Sequence, residues 1–66
     1  MKISVRLRGG KKRIDMEGKP RVIDVLEKLE INPETVIVRK GEEVIPEEEC
    51  LRENDEIEAI RIISGG

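Results

Sequence analysis

No phenylalanine, tyrosine, tryptophan or histidine occurs in this 66-residue sequence, and it holds a single cysteine. Without aromatic rings there is no stacking platform for unpaired bases. Without histidine there is neither a Ser/His/Asp set nor a Cys/His cluster for structural zinc. One cysteine cannot form an internal disulfide. No G-x-x-x-x-G-K-[ST] loop is present to cradle phosphates. An independent enzyme is therefore the least favoured reading. No apolar run is long enough to span a bilayer and no signal peptide precedes the first strand-like segment, so a reducing, cytoplasmic setting is expected, with no membrane partner.

What is present is aliphatic and charged. Twenty residues are Ile, Val or Leu, enough for a packed core and contrary to disorder. A chain of this size buries only about 60% of its unfolded surface, so its stability margin is thin. Charged residues make up 42% of the chain, both signs are interspersed, and the net charge is −2. That is a solvated surface and not a nucleic-acid footprint, so no direct nucleic-acid binding is expected.

The chain reads as one domain without repeats or linkers. "MKISVRLR" alternates, with Ile3, Val5 and Leu7 on one face and Lys2, Ser4, Arg6 and Arg8 on the other, which is a half-buried strand. Gly9-Gly10-Lys11-Lys12 reads as a turn, and "RIDMEG" alternates again with Ile14 and Met16 inward, giving a hairpin. In "RVIDVLEKLEI" the period changes: Val22, Val25, Leu26 and Leu29 form one helical stripe, which Asn32-Pro33 ends. Arg21 stands where a capping Ser, Thr or Asp would be expected, so the first turn is predicted to fray. "ETVIVRKGEEVIP" reads as strand, tight turn and short strand, with Pro46 marking an edge. A polar stretch anchored by Leu51 follows, and "EIEAIRII" is the last strand. A hairpin, one helix and further strands make an α+β layer, one mixed sheet with its helix on a single face.

The sequence stops on Gly65-Gly66 directly after that strand. Glycine gives a strand nothing to pack and loses the most freedom on ordering. The plain reading is a frayed stub. The functional one is a side-chain-free rod that enters another protein's active site.

The ordered set of features decides between them. Val44-Ile45-Pro46, then Leu51-Arg52-Glu53-Asn54-Asp55-Glu56-Ile57 leading into the last strand, then Gly65-Gly66, resembles the ThiS/MoaD family of ubiquitin-like sulfur-carrier proteins. The helix "VIDVLEKLEI" also matches, so the resemblance covers essentially the whole chain. The tail "RIISGG" lacks the prolines of the MoaD branch and is closer to ThiS, and the short stand-alone form is similar to archaeal small modifiers. Asn54 replaces the usual turn glycine, a substitution that left-handed backbone angles tolerate.

The resemblance implies a β-grasp fold over residues 1–63 and a flexible tail over residues 64–66. It implies that a ubiquitin-activating-type enzyme spends ATP to adenylate the Gly66 carboxylate, and that a sulfur donor enzyme then yields a thiocarboxylate. The carrier itself needs no cofactor. The sulfur would pass to an acceptor synthase, for thiazole or molybdopterin, or to a tRNA base. Attack by a lysine amine would instead give an isopeptide, the protein-modifier alternative. A plain interaction module is the third possibility. A monomer is expected, because a carrier docks with several enzymes in turn.

Other features weigh less. Cys50 reads as a small, partly buried hydrophobe before a reactive thiol. Arg8 to Arg13 is mostly a hairpin turn, with contact to an acidic partner or RNA as the lesser reading. Glu47-Glu48-Glu49 is a solvated loop, since consecutive carboxylates do not converge on a cation. Alternation places Ile57 and Ala59 toward the helix and Ile60 and Ile62 outward beside Ile63, more apolar residues than one buried face needs. Ile60, Ile62 and Ile63 are the expected docking patch.

Overall fold

Alternation in the first and last strands sets the architecture. In the computed structural model, which describes residues 1–62, β1 (Lys2–Leu7) and β2 (Gly10–Asp15) form an antiparallel hairpin. They are followed by α1 (Val22–Lys28), a 3-10 turn (Pro33–Thr35), β3 (Val36–Lys40), β4 (Glu43–Ile45) and β5 (Glu56–Arg61). The sheet order is β2-β1-β5-β3-β4. Only β1 and β5 are parallel among these pairs. One mixed sheet carries one helix, as the residue pattern predicts.

Ile3 and Val5 of β1, Val38 of β3, Ile45 of β4 and Ile57 and Ala59 of β5 point to the helix side. There they pack with Val22, Val25 and Leu26 of α1 and with Leu51, all buried. Leu51 is thus the anchor its isolation in a polar stretch suggested.

The helix start differs from the expectation of fraying. Arg21 offers no capping side chain, yet every early amide has a partner. The Arg21 amide donates to the Asp24 carboxylate at 2.9 Å, one half of a capping box. The Val22 amide donates to the Glu49 carbonyl at 3.0 Å and the Ile23 amide to the Glu47 carbonyl at 2.9 Å, while the Asp24 amide reaches the Arg21 carbonyl. The acidic loop therefore closes the helix end through its main chain, with its side chains exposed. Asp24→Ala is expected to cost about 1 kcal/mol in urea unfolding, the usual worth of such a bond. Replacing Glu47, Glu48 and Glu49 together by glutamine should stay within about 0.5 kcal/mol, because their carbonyls remain. The reverse order would show that the carboxylates, not the main chain, hold the helix.

Two further boundaries move. The hairpin turn is Arg8-Gly9, with Leu7 paired to Gly10, so Lys11 and Lys12 lie in β2 and not in the turn. The helix stops at Lys28 and not at Asn32-Pro33. Glu30 takes φ +60°, the Ile31 amide donates to the Leu26 carbonyl at 2.8 Å, and the Glu30 amide donates to the Glu27 carbonyl at 3.0 Å. This is a Schellman closure with glutamate where glycine is usual. Asn54, at φ +66°, adopts the left-handed angle expected of it.

Candidate functional site

β5 positions the site. It runs parallel to β1, so its last residues emerge beside the Arg8-Gly9 turn. Its ladder with β3 runs to Val36↔Arg61, and the Ile62 amide prolongs it by donating to the Thr35 carbonyl at 3.0 Å. The strand is thus held to the sheet up to the point where the tail begins. Gly65 and Gly66, the expected reacting residues, and Ile63 of the expected docking patch lie outside the described residues.

Ile60 and Ile62 are on the sheet face opposite the helix, as alternation predicts. Ile60 is half-buried and Ile62 is 51% exposed. Ile37 pairs directly with Ile60 across β3, and Val44 lies diagonally beyond it on β4. Ile37 is 37% and Val44 63% exposed. Sequence reading missed these two. The signal was the outward phase of Ile37 between inward Val36 and Val38, but only the register shows that it meets Ile60.

Away from the tail the same face turns ionic. The Arg39 guanidinium donates to Glu58 at 2.7 Å, while Arg6 and Lys11 approach Glu56 at 3.7 and 3.3 Å. The Arg39 Nε is shielded from solvent and has no partner among the described residues. Exposed pairs of this kind contribute little stability, about 0–1 kcal/mol each. Their effect is to leave the apolar strip as the uncharged part of the face nearest the tail.

The lesser candidates disperse. Cys50 is exposed, not partly buried, and forms an isolated bridge opposite Arg21. The basic run is divided: Lys11 faces Glu56 and Arg13 reaches the Asn54 side chain at 3.5 Å. Asp15 receives a hydrogen bond from the N-terminal ammonium and the charge of Lys2, which hold its carboxyl below the usual range. It lies at the far end of β2 from the tail. No group of three or more potential metal ligands converges among the described residues, and no helix there is long and apolar enough to cross a membrane.

Comparison with known proteins adds the remaining evidence. The family model described as small archaeal modifier protein 2 matches residues 1–63. Sulfur carrier protein TtuB of Thermus thermophilus is 41% identical over 56 residues, which cover 85% of this chain and 86% of that protein. An uncharacterized protein of Archaeoglobus fulgidus is 37% identical across 100% of both chains. The crystal structure of SAMP1 from Haloferax volcanii matches over 100% of both chains with a TM-score of 0.76 at 20% identity. At that identity the likeness shows the fold, the ubiquitin-like β-grasp.

Proposed function

Because the chain belongs to the small archaeal modifier protein 2 family, whose members are ubiquitin-like carriers and modifiers and not enzymes, we propose that it acts through the Gly66 carboxylate as a sulfur carrier. The observation that carries this reading is 41% identity to a sulfur carrier protein over most of both chains. The position of the Gly-Gly end, just beyond a strand anchored in mid-sheet, agrees with it.

The chemistry follows from the weakness of a carboxylate as an electrophile. A carboxylate oxygen of Gly66 attacks the α-phosphorus of ATP on a ubiquitin-activating-type partner, and pyrophosphate leaves. A sulfide-level nucleophile from the sulfur donor enzyme then attacks the acyl carbon. AMP leaves and a thiocarboxylate remains. The carrier contributes the reacting group and its placement, while the partner supplies the ATP site. Gly65 and Gly66 suit a narrow channel because they present no Cβ and accept any backbone angle. Ile60, Ile62 and Ile63, widened by Ile37 and Val44, form the docking patch on the partner. The sulfur acceptor is a thiazole or molybdopterin synthase or a tRNA base. The carrier works as a cytoplasmic monomer and needs no cofactor of its own.

The family description favours a second reading, conjugation of Gly66 to lysines. The intact mass of the protein from its native cells separates the two. A fraction with one oxygen exchanged for sulfur, mapped to the last peptide, supports the carrier. Tryptic branches bearing Ile-Ile-Ser-Gly-Gly, cut after Arg61, support the modifier. A carboxylate that is always free, with no branches, would overturn both.

A further inference from the structure

The sheet is notched where the tail begins. Antiparallel pairing directs alternate main-chain groups of β5 to β3. The Ile62 amide points that way, so the amide and carbonyl of Arg61 and the carbonyl of Ala59 point to the opposite side. On that side β1 has ended. Its ladder with β5 stops at Arg6↔Glu58, and Arg8 and Gly9 turn away into the hairpin. These β5 groups have no main-chain partner among the described residues.

A cleft opens on each side of this unpaired edge. The one on the helix side, about 270 Å³, is floored by Leu7, Ile31, Val36 and Ala59. The one on the open side, about 350 Å³, lies between Arg8 and Ile60. Arg8 and Arg61 border both. Neither arginine has a carboxylate partner among the described residues. Glu58, the acid in the open-side cleft, is already engaged by Arg39 at 2.7 Å.

We propose that this notch receives an extended strand of the activating enzyme, which adds to β5 beside β1 and carries alternating apolar and acidic side chains. The unpaired amide and carbonyls supply the main-chain bonds of strand addition. Side chains alternate across the added strand. One set enters the apolar cleft, where Arg61 lies in phase with Ala59, and the other meets Arg8 on the open side. Charge complementarity selects an acidic strand, and a second copy of this chain offers a poor one: its β2 edge is basic at Lys11, Lys12 and Arg13, and its acidic β4 edge is only three residues long before Pro46. Pairing here would hold the root of the tail straight as it enters the ATP site.

The inference rests on the carrier reading, and its test separates the two. Amide hydrogen exchange is followed by NMR on the full chain, free and bound to the ubiquitin-activating-type enzyme that adenylates Gly66. The Arg61 amide should exchange quickly in the free carrier and slow by about tenfold or more in the complex. The Ile62 amide, bonded to Thr35, serves as the internal reference. Arg61→Pro removes the one amide donor on the free edge without breaking a bond to β3, and should raise the Kd about tenfold. The β3 amides report whether that variant is folded. A complex that forms and reacts while the Arg61 amide exchanges as before overturns the proposal alone. Concentration-dependent protection in the carrier by itself would assign the notch to a second copy and also overturns it. Failure of any such enzyme to adenylate Gly66 overturns the carrier reading and this inference with it.

Discussion

Ile57→Ala is expected to leave much of the chain unfolded at ordinary growth temperatures. Ile57 is 1% exposed, sits on the central strand and pairs in register with Val5. Truncating a buried isoleucine to alanine costs about 2–5 kcal/mol, because the cavity left behind adds to the lost transfer free energy. A domain of this length has about 3–10 kcal/mol in total at typical values per residue. With no aromatic side chain, disulfide or zinc cluster available, nothing else can compensate. Ile62→Ala, on the exposed face, should stay within about 0.5 kcal/mol. Urea midpoints for the two variants give the comparison. A loss below about 1 kcal/mol for Ile57→Ala would mean that the core is not organised around β5.

Removing Gly66 should reduce adenylation more than about a hundredfold while leaving the unfolding midpoint unchanged. Among the described residues the core runs from Ile3 to Ala59, and a glycine has no side chain to add to it. The deletion withdraws the carboxylate by one residue, about 3.3–3.6 Å along an extended chain. A misplacement of about 1 Å can already cost about a hundredfold when reaction depends on holding two groups together. ATP–pyrophosphate exchange with the activating enzyme measures the effect. Exchange at the full rate by the shortened chain would show that Gly66 is not the reacting end.

The strand pattern was legible because each strand near the core has one wet face. Ile3, Val5 and Leu7, and later Ile57 and Ala59, announce their phase in a few residues. So does Ile60 against Ile57. Features made by main-chain bonds were not legible. The carbonyls of Glu47 and Glu49 close the helix, and a carbonyl has no side-chain signature, so a row of glutamates looked like solvated loop and Arg21 looked like a poor start. The stop at Glu30 was hidden for a related reason, since a residue seldom found at φ +60° was held there by a pair of backbone bonds. Ile37 and Val44 were visible as apolar residues, but their place beside Ile60 depends on register, which lies between strands. Cys50 was expected to be partly buried, and it is exposed, in an isolated bridge opposite Arg21 that no side-chain pattern announces.

The topology also bears on how the protein is made. β5 comes last in the chain and lies in the middle of the sheet. Synthesis proceeds from the N-terminus, so β1–β2 and β3–β4 are available first, as two hairpins with no shared neighbour. An isolated hairpin is marginal at best in water. A nascent chain lacking β5 therefore has no sheet to pack against its helix. Folding waits for residues through Arg61 and then joins both hairpins in one cooperative closure. A prematurely terminated product lacks the strand that joins the two hairpins, and translation thereby screens out incomplete copies by leaving them without a sheet.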